Sequence, residues 1–218
     1  MKRSIFISRK LAADSILLNY LTKNDWTVYD RSLIRIEAIP FKIEGVFDWI
    51  FLSSSNGAKI LLSSYAPNDE TRIGAVGEAT AKTLNKYGVF PDFVGDSGNM
   101  DQLADRLART VGSGTVLFVG AEGGSEKIRN AIPSVQSNFV AVYRTVQADG
   151  VEIPNTTHVF LTSPSNAKNY LSSADISNKK VIAIGNTTAE FLSSRGMKNV
   201  LIPATPKEKD VVELLAGL

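Results

Sequence analysis

Two stretches, Ser53-Ser-Ser-Asn-Gly57 and Thr162-Ser-Pro-Ser-Asn166, set hydroxyls, carboxamides and small residues at matched spacing just after short apolar runs. Comparable polar turns stand at Ser8-Arg9-Lys10, Gly77 to Thr80, Gly120 to Ser125 and Gly185 to Thr188, and each reads as the opening of a helix. The first N–H groups of a helix are unpaired and carry partial positive charge, so such turns suit anions. The chemistry on offer is the gripping of carboxylates or phosphates by neutral donors. Paired carboxylates placed for acid–base work are not evident. Gly120, Gly123 and Gly124 come with neither a Walker lysine nor the dinucleotide-binding spacing.

Capping alone explains any one of these side chains. Ser163 before Pro164 is what a helix start selects, with Ser as N-cap and Pro in the first helical position. Thr187 with Glu190 reads as a capping box. Ligand binding gains from the coincidence of several such turns along one edge.

Other chemistry is narrowed by composition. The chain lacks cysteine, which removes disulfides, thiolate nucleophiles, iron–sulfur clusters and zinc fingers. His158 is the one histidine, and it begins an apolar run, so a His-based metal site is not expected. A net charge of +2, without a basic patch interleaved with aromatics, gives no footprint for nucleic acid. No apolar run approaches the ~18 residues of a membrane span. Arg9 and Lys10 interrupt any leader-like core, so the expectation is a cytoplasmic protein.

The elements that must position the turns are repeated. Phe51-Leu-Ser-Ser-Ser-Asn-Gly-Ala-Lys59 returns 109 positions later as Phe160-Leu-Thr-Ser-Pro-Ser-Asn-Ala-Lys168. Val76-Gly-Glu-Ala-Thr-Ala81 returns at 108 as Ile184-Gly-Asn-Thr-Thr-Ala189, and the same offset matches Gly88 with Gly196. A weaker pair joins Ile5-Phe-Ile-Ser8 to Leu117-Phe-Val-Gly120 at 112. Three pairs in one order indicate duplication. Short apolar runs alternating with helical spacing imply parallel sheets with helices on both faces. The fold class is α/β: two similar lobes, each a parallel sheet flanked by helices. In such sheets the strand-to-helix turns share the carboxyl edge, where ligands bind.

Phe160-Leu-Thr-Ser-Pro-Ser-Asn-Ala, Ile184-Gly-Asn-Thr-Thr-Ala, Val76-Gly-Glu-Ala-Thr-Ala and Val140-Ala-Val-Tyr-Arg-Thr145 together resemble the uroporphyrinogen-III synthase family, over nearly the whole chain. The resemblance implies closure of linear hydroxymethylbilane to uroporphyrinogen III, with inversion of the last pyrrole ring and loss of water, in a cleft between lobes. It implies no cofactor and no metal, a substrate with eight carboxylates, and a monomer that engages neither nucleic acid nor membrane. It also implies swapped lobes: residues 1–34 with 147–218, residues 39–138, and two extended crossover strands at 35–38 and 139–146. The residues implied for substrate are Ser54, Ser55, Asn56, Gly57 and Thr80 in one repeat, with Ser163, Ser165, Asn166, Thr187 and Thr188 in the other.

Tyr143 matches the tyrosine of the family's Val-Tyr-Arg-Thr segment and is the candidate general acid. Strand alternation gives it a face shared with Phe139, Ala141 and Thr145; a half-buried strand tyrosine is the alternative reading. Two departures stand out. Many relatives carry arginine in the turn occupied here by Gly120-Ala-Glu-Gly-Gly-Ser125, and the Thr-Arg-Pro of the first strand end is Ser8-Arg9-Lys10, which keeps only the arginine. The other class left open is a bilobal tetrapyrrole- or anion-binding protein without catalysis.

Overall fold

Ile5, Phe6 and Ile7 are wholly shielded from solvent, as are Val159, Phe160 and Leu161. Strands apolar on both faces are what a parallel sheet covered by two helical layers requires. The computed structural model describes residues 3–96, 98–124, 126–130 and 137–218. The chain divides into two compact units, one of Met1–Arg35 with Val146–Leu218 and one of Ile36–Thr145.

The first unit holds a five-stranded sheet in the order β11 (Val200–Leu201), β10 (Lys180–Ala183), β9 (His158–Leu161), β1 (Ser4–Ile7) and β2 (Thr27–Asp30). All of its pairings are parallel. On one face α1 (Ile16–Lys23) and α8 (Glu208–Ala216) bring Leu17, Leu21, Val211 and Leu215 against Ile5, Ile7 and Phe160. On the other, α6 (Pro164–Ser173) and α7 (Asn186–Ser193) pack Ala167, Tyr170 and Leu192 on Phe6, Val159 and Leu161.

The second sheet runs β3 (Ile34–Ala38), β8 (Ser137–Gln147), β7 (Val116–Ala121), β4 (Trp49–Leu52), β5 (Arg72–Ala75) and β6 (Phe93–Val94). Its strands from β8 to β6 are parallel. Helices α2 (Ser55–Leu62) and α3 (Glu78–Lys86) cover the face of Ile50, Leu52, Leu117 and Val119. The 12-residue α4 (Met100–Val111) and the single turn α5 (Lys127–Asn130) cover the face of Phe51, Val116 and Phe118. The chain passes between units within β3 and again within β8. The Ile39 N–H bonds Val142 O (3.0 Å) and the Ala148 N–H bonds Leu33 O (2.9 Å), so these two strands run antiparallel.

In each sheet the strand order reverses once, between β1 and β9 in the first and between β4 and β7 in the second. The carboxyl ends of strands at such reversals frame a crevice suited to ligands. As the repeat implies, Gly88 (φ 76°) and Gly196 (φ 87°) both adopt the left-handed conformation after α3 and α7.

Two expectations are corrected here. The weak repeat pair is one residue out of register. Phe6 faces α6 and α7, and its structural counterpart is Leu117, which faces α2 and α3, whereas Phe118 faces α4. A slip of one residue in a strand turns every side chain to the opposite face. The turn at Ser8-Arg9-Lys10 does not open a helix directly, since α1 begins only at Ile16, after its N-cap Ser15. The intervening chain is held by Asp30, which accepts the Leu11 N–H (2.9 Å) and pairs with Lys10 (3.1 Å). Glu208 accepts from the Leu17 N–H, the Ser15 hydroxyl and the Arg9 guanidinium. Glu208, the first residue of α8, therefore fastens both the Arg9 turn and the start of α1 to its own helix.

Candidate functional site

The repeated turns share backbone geometry as well as sequence. Ser54 (φ −164°, ψ 156°) and Ser163 (φ −167°, ψ 159°) are extended N-caps of α2 and α6. Their Oγ atoms accept the N–H of Gly57 at 3.0 Å and of Asn166 at 3.1 Å. Gly77 and Gly185, near φ and ψ of 180°, cap α3 and α7 without any side-chain bond. Those two helices therefore begin with their first amides uncapped.

Thr187 is not an N-cap. Ile184 still pairs with Leu161 O (3.0 Å), and the chain enters α7 at once from Gly185, so Thr187 lies inside the first turn and is exposed. Thr80 and Thr188 are each the third residue of their helices, and both are buried. Their N–H groups bond Gly77 O (3.0 Å) and Gly185 O (3.1 Å). Neither hydroxyl has a partner among the described residues. Ser55 and Asn56 are half-buried in the first turn of α2, and Gly57 is buried. A Cβ on Gly57 would stand 3.2 Å from Ser54 Oγ, a close approach that favours glycine.

In the other repeat, Ser165 is exposed while Asn166 is buried. The Asn166 Oδ1 accepts the Leu33 N–H (2.8 Å) and its Nδ2 donates to Ser163 Oγ (3.1 Å). Its carboxamide is committed to the fold. At the β1–β9 reversal, Ser8 and Thr162, the former wholly buried, exchange bonds through side chain and backbone. His158 starts β9 at the opposite edge from the turns. Burial, then Lys180 and Arg3, hold its pKa below the ordinary value. Tyr170, wholly buried with no partner for its hydroxyl among the described residues, is pushed up to about 12 by burial and then by Asp175.

Tyr143 is buried on β8, and its Oη lies 2.9 Å from Ser54 Oγ. The expected face is corrected by a bulge. Gly120 pairs with Ala141 but Ala121 with Tyr143, so Val142 is the extra residue. Val142 and Tyr143 then both join the core under α2 and α3, and Tyr143 reaches the N-terminus of α2. The expected candidates in this unit thus converge in part: Ser54 and Tyr143 touch, with Gly57 bonded to Ser54.

Beside them, at the carboxyl ends of β4 and β7, is a cavity of about 280 Å³. Phe51, Phe118, Phe139, Met100 and Ile128 line it, with Ser53, Tyr143, Glu126 and Arg129 as polar neighbours. Ser53 and Phe139 lie within segments that the sequence marks, and the missing signal was which way each side chain points. Arg129 gives no signal, since α5 is a single turn. Ser125, expected in the turn after β7, lies outside the described residues. Among the described residues, no group of three or more His, Asp or Glu could hold a metal ion. No helix of the described residues is long and apolar enough to cross a membrane.

Comparison with known proteins gives a consistent picture. A 25% identical relative is the porphyrin biosynthesis protein HemD of Ruminiclostridium josui, matched over 190 residues, which are 78% of this chain and 38% of that protein. The chloroplastic uroporphyrinogen-III synthase of Oryza sativa subsp. japonica is 26% identical over 180 residues, 73% of this chain and 60% of that one. The chain spans between about two fifths and three fifths of the length of these curated relatives. Among solved structures, the fold matches uroporphyrinogen-III synthetase of Helicobacter pylori with a TM-score of 0.75 at 18% identity, covering 100% of this chain and 99% of that one. A mutant uroporphyrinogen III synthase of Thermus thermophilus matches with a TM-score of 0.61 at 13% identity, covering 98% of each chain. The family model described as uroporphyrinogen-III synthase HemD matches residues 16–213, so the chain belongs to that family.

Proposed function

We propose that this protein closes hydroxymethylbilane into uroporphyrinogen III, inverting the last pyrrole ring and releasing water. The family match supports the reaction, and the observation that carries it to particular atoms is the contact between Tyr143 and Ser54. The reaction needs a proton for the departing hydroxyl. Ser54 Oγ already accepts the Gly57 N–H, so its own proton is available to Tyr143 Oη. With Ser54 donating, the phenol proton is free to go to the substrate hydroxyl, and the phenolate left behind keeps a hydrogen bond from Ser54. Loss of water leaves a cationic azafulvene, and the aromatic rings beside Tyr143 offer their negative faces to that charge. Reprotonation of Tyr143 on ring closure completes the cycle.

The amides of the first turns of α2, α3, α6 and α7, with Ser55, Asn56, Thr80, Ser165, Thr187 and Thr188 around them, hold the substrate's carboxylates. Neutral donors do this without the desolvation cost of a buried cluster of guanidinium groups. No cofactor enters the steps. The protein acts as a monomer in the cytoplasm. The test is to supply freshly made hydroxymethylbilane and resolve the isomers of the oxidised product. Type III above the level of the uncatalysed control is expected; type I alone at the control rate would refute the proposal.

A further inference from the structure

The cavity at the β4–β7 reversal is small, about 280 Å³, against the ~300–1,000 Å³ of sites that enclose drug-sized ligands. It cannot enclose four rings; it has room for one ring and its substituents. Three observations define that ring. The walls are aromatic and apolar, with Phe51, Phe118 and Phe139 from three different strands. The Ser53 hydroxyl gives its proton to Val119 O (2.9 Å), so toward the cavity Ser53 presents lone pairs alone. A ring that carries an N–H donor matches this acceptor. Gly120 preserves it, because a Cβ there would stand 2.4 Å from Ser53 Oγ and 3.4 Å from the Phe139 ring.

At the rim, the Arg129 guanidinium carbon lies over Phe139, 5.4 Å from the ring centroid. The stacking holds this planar fork in the lining of the cavity. Its ionic partner is Glu126 three residues earlier in the same turn, with the Glu126 side chain 61% exposed. With its acidic partner this exposed, the pair gives up Glu126 readily to another carboxylate. We infer that the cavity seats one pyrrole ring of the substrate, with the ring N–H on Ser53 Oγ and one ring carboxylate on Arg129 in place of Glu126. Tyr143, in the same lining, is then adjacent to that ring. The identity of the parent four-ring ligand rests on the ring-closing reading; the ring, its N–H and its carboxylate rest on the cavity.

The test uses the whole protein and a monopyrrole bearing one acetate and one propionate, with its N-methyl and diester derivatives as controls. Binding is read by calorimetry at low salt. The diacid should bind more tightly than either derivative. Arg129→Gln should weaken it about fivefold or more, as loss of a charge-assisted bond implies, and Arg129→Lys should recover part of that. Glu126→Gln, which frees the guanidinium, should tighten binding about two- to threefold. A purely structural Arg129 would not give opposite signs for these two variants. Equal binding of diester and diacid, no binding of the diacid by the parent protein, or unchanged affinity in both variants would each overturn the inference. Ring closure is assayed separately on the same preparations. Type III product with a KM unchanged in Arg129→Gln sinks the inference and spares the enzymatic reading, whereas Arg129-dependent binding without ring closure does the reverse.

Discussion

Ser54 and Tyr143, 89 positions apart in the chain, bring their hydroxyl oxygens to 2.9 Å at the N-terminus of α2. One serine therefore has two duties, as helix cap and as partner to the candidate acid. Ser54→Ala should cost ~1 kcal/mol of stability through the lost cap. Tyr143→Phe should lower kcat by about 100-fold with little change in KM, the low end of what a general acid supplies. Because the hydroxyls act as a unit, the double variant should be hardly slower than Tyr143→Phe alone. Steady-state kinetics on the four proteins checks this, and effects on kcat that multiply would separate the two residues.

The paired turns give a second prediction. Asn56 and Ser165 hold the same position, second in their helices. Asn56→Asp and Ser165→Asp each place a carboxylate where a substrate carboxylate is to be held, while favouring the helix dipole. KM should rise severalfold in both, and added salt should reduce the rise by screening. Melting temperatures should hardly move. If both variants bind substrate as the parent does, the repeated turns are relics of duplication and not the substrate site.

The repeat made much of the fold legible. The runs around Phe51 and Phe160 are strands, and the same backbone angles recur at Ser54 and Ser163, and again at Gly77 and Gly185. What escaped was set by contacts distant in sequence. The register of β1 depends on its pairing with β9, which local pattern does not encode, and so Phe6 aligned with the wrong partner. The bulge at Val142 arises where β8 meets Gly120 and turns Tyr143 away from the face that simple alternation assigns. Short edge strands such as β6 and β11, two residues each, carry too little pattern to read. The cavity draws on β4, β7, β8 and α5, segments that no spacing rule connects.

Asn166 shows where the two repeats have parted. Its counterpart is Gly57, yet Asn166 spends its carboxamide on the Leu33 N–H at 2.8 Å. Leu33 is itself buried, and its carbonyl receives Asn169 Nδ2 and the Ala148 N–H, both at 2.9 Å. Asn166→Ala leaves a buried amide without an acceptor and should cost ~1–3 kcal/mol. Asn166→Asp keeps the acceptor and should cost less. Urea denaturation of the three proteins checks the order, and an alanine variant as stable as the parent would remove the structural role.

His158 makes stability depend on pH just below neutrality. Its Nδ1 lies 2.9 Å from Thr157 Oγ1, the Trp26 ring packs edge-on at 4.6 Å, and Lys180 and Arg3 add positive charge nearby. Burial foremost, and then those cations, lower its pKa from the ordinary 6.5. Below pH 6.5 the unfolded chain takes up a proton that the folded chain resists, so stability rises with pH in that range. The contribution is therefore complete above pH 6.5, declines as the pH falls toward the depressed value, and levels off below it. Asp48 and Asp175, whose pKa values backbone hydrogen bonds from Thr115 and Ser177 lower from 3.8, add their own loss only in stronger acid. Urea midpoints measured from about pH 7.5 down to about pH 5 should fall for the parent. In His158→Gln, which cannot ionise, the curve over the same range should be nearly flat. A parent curve as flat as the variant's would show that the imidazole protonates as easily in the fold as out of it.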